Sequence, residues 1–184
     1  MKLQSGNVAK SFQVTDIFEQ PIDLDNYRGK PLLLSFYRYA ACPLCNLRIH
    51  QLVQQYDGFA AQGLQTLAFF QSPAAKILEY VTGKNDVPFP LIADPEHTLY
   101  RLYGVEQASV VGYIRGVFSK RMWAAHKMDY IINDPEGIQT LHPADFLIDQ
   151  DFKIHTAFYG TDIGEHIPLS QIEMFLAFQQ KIAA

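Results

Sequence analysis

The stretch PLLLSFYRYAACPLCNLRIH, residues 31–50, places both cysteines of the chain directly after a run of apolar residues. The run PLLLSFY (31–37) is continuous, which is typical of a strand buried on both faces. Apolar residues then recur at helical spacing until Gly63, which is expected to end the helix. The stretch therefore predicts a buried strand that leads directly into a helix, with the C-x-x-C pair Cys42 and Cys45 at the junction.

Further strands and helices alternate on both sides of this junction. Ser72, directly before Pro73, is the predicted N-cap of the second helix. The segment 106–141 is longer than a simple connection and has apolar residues at helical spacing, so it predicts a helical insertion. The order predicts an α/β fold with a mostly parallel or mixed sheet covered by helices on both faces. The further predicted strands are SFQVTDIFEQPIDL (11–24, an N-terminal β extension that forms a short hairpin or an extended arm), LQTLAFF (64–70), FPLIAD (89–94), ADFLID (144–149) and KIHTAFYG (153–160).

Length and composition exclude several classes of protein. The chain has 184 residues, of which 48% are hydrophobic and 18% charged, and its formal net charge is -4. These values predict a single globular domain over residues 1–184. A mildly acidic chain lacks the electrostatic footprint of nucleic-acid binding, so no nucleic-acid partner is expected. One basic stretch is interpreted as a solvated helix face, with docking of a partner as the alternative; it comprises Arg115, Lys120, Arg121, His126 and Lys127.

The sequence also gives an expectation for the compartment. The N-terminal MKLQSGNVAKSFQV lacks the apolar core of a signal peptide. No apolar run reaches the roughly 18 residues that a membrane-spanning helix needs. We therefore expect a cytoplasmic protein with no membrane partner, in a compartment that keeps thiols reduced. There, C-x-x-C indicates redox chemistry or metal binding rather than a structural disulfide.

The position of the cysteine pair favours redox chemistry. With Cys42 at the helix N-terminus and Pro43 at the first helical position, unpaired N–H groups and the helix dipole stabilise negative charge there. The pKa of the Cys42 thiol is therefore expected below the free-thiol value of about 8.5, and the thiolate is the reactive form. Cys45 lies one turn further on the same face, roughly 5–6 Å away, within reach of a disulfide. These positions predict that Cys42 attacks and Cys45 resolves.

Two alternatives to a redox pair stay open. The first is a metal site, but a structural zinc needs four ligands and the chain has two cysteines. His50 is near in sequence and does not complete such a site, and the other histidines are scattered. The second is a pair of inert buried thiols, since free cysteines are often buried without a role. We predict no metal and no cofactor beyond the dithiol itself.

Four stretches of the sequence, residues 29–45, 67–81, 89–105 and 141–160, match the pattern of a known protein family. Together they resemble the thioredoxin-fold, peroxiredoxin-like proteins of the alkyl hydroperoxide reductase and thiol-specific antioxidant family. The resemblance covers nearly the whole chain, and it implies a thioredoxin-like fold and thiol-based redox chemistry in antioxidant defence or thiol-redox homeostasis. It also implies a peroxide or disulfide as substrate and thioredoxin or a glutathione-type thiol as reductant. The stretches are GKPLLLSFYRYAACPLC (29–45), LAFFQSPAAKILEYV (67–81), FPLIADPEHTLYRLYGV (89–105) and LHPADFLIDQDFKIHTAFYG (141–160).

The chain departs from that family at two positions near the cysteines. Family members place Thr or Ser three residues before the attacking cysteine, where this chain has Tyr39, and an Arg just before the F-x-I-D strand, where this chain has none. Thioredoxin-fold oxidoreductases carry a cis-proline immediately before the strand that faces C-x-x-C, and Pro143 matches that place. We expect Pro143, Tyr39, Arg38 and His142 to shape the site. Arg38 is expected to stabilise the thiolate or to bind a substrate carboxylate, and His142 to move a proton near neutral pH.

Two functions from different classes follow. In the first, the protein is a thiol oxidoreductase in which Cys42 attacks a disulfide or a peroxide and Cys45 resolves the intermediate to an intramolecular disulfide. The C-x-x-C and Pro143 favour disulfide exchange, whereas the family resemblance favours peroxide reduction. In the second, the thioredoxin scaffold is a non-enzymatic binding or redox-sensing module. The 106–141 insertion is expected to pack near the site as a lid or to form a homodimer face.

Overall fold

The computed structural model describes residues 2–128, 130 and 134–183. The chain begins with a small antiparallel hairpin in which β1 (Gln13–Thr15) pairs with β2 (Pro21–Asp23). A short 3-10 helix, Leu24–Tyr27, follows directly. The predicted N-terminal β extension is therefore confirmed as a hairpin.

A five-stranded mixed sheet forms the centre of the fold. Strands β3, β4 and β5 run parallel, β6 is antiparallel to β3, and β7 is antiparallel to β6. The spatial order is β5-β4-β3-β6-β7. The predicted α/β class with a mixed sheet is confirmed. The strands are β3 (Leu32–Phe36), β4 (Gln65–Phe70), β5 (Leu91–Ala93), β6 (Ala144–Ile148) and β7 (Ile154–Tyr159).

Helices follow the strands in the predicted alternating order. The long first helix ends at Ala60, and Gly63 takes a positive φ of 87° in the turn that follows, as a glycine that ends a helix does. Among the described residues, no helix is long and apolar enough to cross a membrane. The helices are α1 (Pro43–Ala60), α2 (Ala74–Ile77, continued by a π-helix over Leu78–Thr82), α3 (Thr98–Leu102), α4 (Val110–Val117), α5 (Lys120–Lys127) and α6 (Leu169–Ala183).

Alternation along β3 gives the sheet two buried faces. Leu33 and Tyr37 belong to the core cluster that contains residues of α1, α2 and α6. Leu34 and Phe36 point the other way, into a cluster with α3 and the N-terminal hairpin. Because successive side chains of a strand alternate between faces, a central strand with both faces covered must be apolar throughout. This explains the uninterrupted apolar run in the sequence.

The predicted N-cap of the second helix is wrong. Helix α2 begins at Ala74, and its N-cap position, Pro73, makes no side-chain cap hydrogen bond. The hydroxyl oxygen of Ser72 instead accepts the N–H of Ala40, at 2.8 Å, in the loop before α1. Since β3 and β4 are parallel, their carboxyl ends meet at one edge of the sheet, and this brings Ser72 to the cysteine loop.

The 106–141 segment contains two helices within its described part, where the sequence predicts one helical pattern. The hydroxyl of Ser119 accepts the N–H of Met122 at 3.2 Å and thereby starts α5 separately from α4. Helix α5 packs against α1 through a small apolar cluster of Leu47, Ala125 and Tyr130. The insertion therefore lies against the helix that begins at the cysteines.

Candidate active site

The cysteine pair lies where the loop after β3 ends and α1 begins. Cys42 is the N-cap of α1 and Pro43 its first residue, as predicted. The Sγ of Cys42 accepts the backbone N–H of Cys45 at 3.3 Å, so it caps the helix as a serine hydroxyl would. Both cysteines are free thiols and both are buried, with relative exposures of 0% for Cys42 and 1% for Cys45.

Arg38 is the second group that contacts the Cys42 sulfur. Its Nη2 donates to Sγ at 2.8 Å, and its Nη1 donates to the carbonyl oxygen of Gln139. The guanidinium also lies 5.2 Å from the centre of the Tyr39 ring. At 1% exposure, Arg38 is a buried cation, and such a cation needs an anionic partner. The Cys42 thiolate supplies that partner.

The two thiols differ in acidity for physical reasons. Burial acts to raise the pKa of Cys42, but hydrogen bonds from Cys45 and the charge of Arg38 outweigh it and lower the pKa of Cys42 to about 6. Burial raises the pKa of Cys45 well above 9.0, and the hydrogen bond and negative charge of Cys42 act in the same direction. At neutral pH, Cys42 is therefore the thiolate and Cys45 the thiol. This asymmetry agrees with the expectation from the helix N-terminus.

The loop before Cys42 is held by residues that the sequence reasoning missed. Besides the Ser72 contact, the side-chain amide of Asn46 donates to the carbonyl oxygens of Ala40, at 2.7 Å, and of Cys42, at 3.1 Å. Asn46 lies in the first turn of α1, directly after Cys45. This position beside the C-x-x-C motif is the sequence signal that indicates its role in holding the loop. Tyr39 is 2% exposed, and burial together with the Cys42 charge raises its pKa. Its hydroxyl therefore stays protonated near neutral pH.

The structure corrects the expectation for Pro143. The His142–Pro143 peptide bond is trans, so the chain has no cis-proline at that place. Pro143 leads straight into β6, and its carbonyl oxygen accepts the N–H of Gly160 from the end of β7 at 2.9 Å. An extended, sheet-paired entry of this kind is compatible with the ordinary trans bond of an X-Pro unit.

His142 is buried at 2% exposure, but neither of its ring nitrogens bonds to a thiol. Its Nδ1 donates to the carbonyl oxygen of Gly160 at 3.0 Å. Nε2 has no partner among the described residues and faces Gly112 of α4, where an added Cβ would come within 2.3 Å of it. His142 therefore contacts the insertion rather than the dithiol.

A buried polar cluster lies on the same face of the sheet as the cysteines. The carboxylate of Asp145 accepts the Ser35 hydroxyl at 2.5 Å, the backbone N–H of Ile167 at 2.7 Å, and the Nδ1 of His166 at 3.0 Å. Burial acts to raise the pKa of Asp145, but His166 and the other donors lower it. Burial lowers the pKa of His166 despite Asp145. His166 lies in the loop between β7 and α6, and its ring packs 4.7 Å from that of Tyr37.

The described end of the insertion covers Arg38. The side chain of Gln71 donates to the carbonyl oxygen of Ile138 at 3.1 Å and accepts its N–H at 2.9 Å. An ion pair joins Lys76 of α2 to Asp134. Together with the bond from Arg38 to Gln139, these contacts fasten residues 134–139 across the loop that precedes Cys42. The prediction that the insertion packs near the site is therefore confirmed for this part of it.

The part of the chain that contains this site matches a known protein family. The AhpC/TSA family model matches residues 5–157, which include both cysteines, strands β3 to β6 and the first part of β7. The chain belongs to the AhpC/TSA family. The match confirms the resemblance that the four sequence stretches indicated.

Individual proteins give the same result for this AhpC/TSA family member. It is 28% identical over 103 residues to the putative peroxiredoxin bcp of Haemophilus influenzae, covering 56% of this chain and 66%, just under two thirds, of that protein. It is 27% identical over 172 residues to peroxiredoxin TSA1 of Saccharomyces cerevisiae, covering 86% and 80% of the two chains. The solved structure of peroxidoxin BcpB from Mycobacterium tuberculosis matches with a TM-score of 0.68 over 98% of each chain, at 16% identity. The predicted thioredoxin-like fold is confirmed, and the relatives support thiol-based peroxidase or redox chemistry over the binding module.

The predicted absence of a metal stays a prediction. Within residues 2–128, 130 and 134–183, no group of three or more His, Cys, Asp or Glu side chains is arranged to hold a metal ion.

Proposed function

We propose that the protein reduces peroxides through the Cys42–Cys45 dithiol, with Cys42 as the attacking thiolate and Cys45 as the resolving thiol. The observation that supports this most directly is the 2.8 Å contact from Arg38 to the Cys42 sulfur, together with the 3.3 Å contact from the Cys45 N–H. Two donors on one buried sulfur stabilise the charged, nucleophilic form. Cys45 keeps its proton until the second step, as a resolving thiol should.

The reaction would proceed in two balanced steps. The Cys42 thiolate attacks an oxygen of the hydroperoxide, the O–O bond breaks, Cys42 becomes a sulfenic acid, and the alkoxide or hydroxide leaves and takes up a proton. The Cys45 sulfur then attacks the Cys42 sulfur, the S–S bond forms, and the sulfenic oxygen leaves as water with the proton from Cys45. A dithiol reductant, or two thiols in sequence, returns the disulfide to the reduced pair.

Arg38 would take the part that the family gives to an arginine just before the strand that corresponds to β6. In this chain the guanidinium comes from the loop four residues before the cysteine, and Tyr39 stands where the family has Thr or Ser. Arg38 holds the thiolate and offers its remaining N–H groups to a bound peroxide oxygen. Tyr39, His142 and Pro143 shape the walls of the site in this proposal, without a proton step of their own.

Burial favours a peroxide over a protein disulfide as the substrate. The Cys42 sulfur has no exposed surface, since the residue is 0% exposed. A peroxide is small and needs a minor local opening to reach it, whereas a protein disulfide must bring two further sulfurs into line with it. Disulfide exchange stays the second candidate because the C-P-x-C pair alone is sufficient for that chemistry.

The reductant follows from the family at a coarse level. Membership implies a peroxide as substrate and a thioredoxin-type reductant, and within this class we propose thioredoxin or a glutathione-type thiol. The intramolecular disulfide would place both oxidised sulfurs at the start of α1. A reductant thiol would therefore attack a single disulfide at one place in the fold. Thiol-redox homeostasis or antioxidant defence is the corresponding role, in a cytoplasmic compartment.

A single-turnover experiment tests the proposal. Reduced protein is mixed with one equivalent of hydrogen peroxide, quenched over a time course and analysed by mass spectrometry. We expect rapid loss of two hydrogens from the wild type, no reaction of Cys42→Ser, and a trapped sulfenic acid on Cys42 in Cys45→Ser. Slow oxidation by peroxide with rapid reaction toward a model protein disulfide would favour the second candidate. Inertness to both would overturn the enzyme assignment.

A further inference from the structure

Helix α4 carries glycine on the side that faces the protein. Gly112 and Gly116, four residues apart, are both buried. A Cβ added at Gly112 would come within 2.3 Å of His142 Nε2, and one at Gly116 within 2.2 Å of Ile163 Cγ1. At these two positions the helix lies too close to the fold for a side chain, while Tyr113 and Val117 pack against the core beside them.

A group of large apolar side chains on α4, α5 and the turn between them points to solvent, while Tyr113, Val117 and Met122 pack against the core. The usual apolar stripe of a helix faces the core, so the exposed group forms a second, outward apolar surface. Phe118 is the most exposed large apolar residue of this group, at 85%. Groups of exposed apolar side chains of this size mark interaction surfaces. We call the group the α4–α5 face; it consists of Val110, Val111, Ile114, Phe118 and Trp123.

The charge carried by α4, α5 and the residues beside them in the chain is of one sign. Residues 107–128 contain no Asp or Glu and four Lys or Arg, although the whole chain has a net charge of -4. The Lys127 ammonium lies 3.7 Å from the centre of the Trp123 ring, within the face itself. Arg121 pairs with Asp162, whereas Arg115 and Lys120 form no ion pair with any described residue. An apolar, aromatic centre is thus bordered by cations.

We propose that the α4–α5 face docks onto an anionic phospholipid bilayer. Aromatic and aliphatic side chains of a surface helix enter the boundary between headgroups and acyl chains, and adjacent Lys and Arg attract the negative surface. The sequence-based expectation of no membrane partner rested on the lack of a spanning segment, and a peripheral face needs none. Binding here is reversible and depends on both the apolar centre and the cationic border.

A second copy of the chain fits this face less well. A two-fold homodimer places the same patch against itself, so Arg115, Lys120 and Lys127 of one copy would approach those of the other. Like charges at short range repel, and the segment has no carboxylate to pair with them. An anionic bilayer neutralises the same cations. Charge complementarity therefore selects the bilayer over the homodimer expected from the sequence.

The single tryptophan of the chain reports on this face directly. Trp123 is the only Trp and is 65% exposed, so its emission follows the polarity around the α4–α5 face. Full-length reduced protein is titrated with phosphatidylcholine vesicles and with vesicles that also contain about 30% phosphatidylserine. We expect co-sedimentation and a blue shift of Trp123 emission with the anionic vesicles, much weaker binding to phosphatidylcholine alone, and loss of binding as salt is raised.

Matched variants separate the face from the rest of the surface. Phe118→Ser and Lys120→Glu are compared with Phe178→Ser, at a residue of α6 that is 47% exposed, and with Lys153→Glu, which makes the same change of net charge. Thermal unfolding checks that each variant folds. We expect Phe118→Ser and Lys120→Glu to weaken binding to anionic vesicles by about fivefold or more, and the two controls by less than about twofold.

Three results would overturn the proposal. The first is no co-sedimentation with anionic vesicles at low salt. The second is equal weakening by the α4–α5 variants and by their controls. The third is a concentration-dependent dimer in sedimentation equilibrium without lipid. In that case the dimer would be lost in Phe118→Ser, and Trp123 emission would already be blue-shifted without vesicles. That result would assign the α4–α5 face to self-association.

Discussion

The Nη2 of Arg38 donates a hydrogen bond to the Sγ of Cys42 over 2.8 Å, and both residues are buried. The two groups stabilise each other, because a buried guanidinium without an anion and a buried thiolate without a cation are both unfavourable. The same guanidinium is tied to the backbone of Gln139. The chain therefore links the ionisation of its reactive sulfur to the segment that covers the site.

Replacing Arg38 should make Cys42 less acidic. In Arg38→Met, the pKa of Cys42 is expected to rise from about 6 toward its ordinary value of 9.0, since burial stays and the cation is lost. A rise of about two pH units lowers the thiolate fraction at pH 7 about tenfold. The ultraviolet absorbance of the thiolate, measured against pH in a Cys45→Ser background, gives the midpoint. Arg101→Met, at an exposed arginine, is the control, and an unchanged midpoint in Arg38→Met would contradict the role of the guanidinium.

The Cys42 thiolate should also make stability depend on pH. The pKa is about 6 in the folded state and 9.0 for an unperturbed thiol, so the unfolded chain binds more protons between these values. Stability from this group is therefore fully present above the unfolded pKa and is lost as pH falls through the folded pKa. Urea unfolding of the reduced wild type and of Cys42→Ser, compared at several pH values, should show a stability difference that grows with pH in this window. A difference that is flat across the window would refute the lowered pKa.

Asp145 should contribute more to the free energy of unfolding than an ordinary polar residue of a strand does. Asp145→Asn removes the charge from a buried carboxylate that accepts from Ser35, His166 and Ile167. Leaving a buried donor without its acceptor costs about 1–3 kcal/mol in the free energy of unfolding. Chemical denaturation measures this cost, and Asp151→Asn, at an exposed position, should stay within about 0.5 kcal/mol. A loss below about 1 kcal/mol in Asp145→Asn would mean that the cluster contributes little.

Two glycine substitutions should act in opposite directions. Gly112→Ala forces a Cβ to within 2.3 Å of His142 Nε2, so α4 must shift, and a cost of about 1–3 kcal/mol is expected. Gly58 lies inside α1 with nothing within 4 Å of the added Cβ, so Gly58→Ala should stabilise by up to about 1 kcal/mol. Thermal unfolding of both variants checks the pair. Equal effects of the two substitutions would show that the approach of α4 to His142 is not tight.

The local features of the cysteine junction could be predicted because they depend on neighbours in sequence. A continuous apolar run, the Cys42-Pro43 start of a helix and Gly63 at its end determine β3 and α1 through backbone sterics and capping. The lowered pKa of Cys42 follows in part from the same helix start. The alternation of strands and helices likewise predicts the mixed α/β sheet.

Contacts between residues far apart in sequence required the tertiary structure. The pairing of β3 with β4 brings Ser72 to the loop of Ala40, and the pairing of β3 with β6 brings Asp145 to Ser35, where His166 joins them. Neither contact can be predicted from the neighbouring residues in the sequence, because the register and order of the strands depend on burial across the whole sheet. The same limit explains the error at Pro143.

By itself, the sequence determined that a dithiol stands at the start of a helix behind a buried strand, since capping, periodicity and apolar runs act over a few residues. The tertiary structure alone decided that Arg38 turns inward to Cys42, that residues 134–139 cover it, and that α4 presents Ile114 rather than its glycines to solvent. These three arrangements depend on which surfaces have room for which side chains. That room is defined only when the helices and strands pack together.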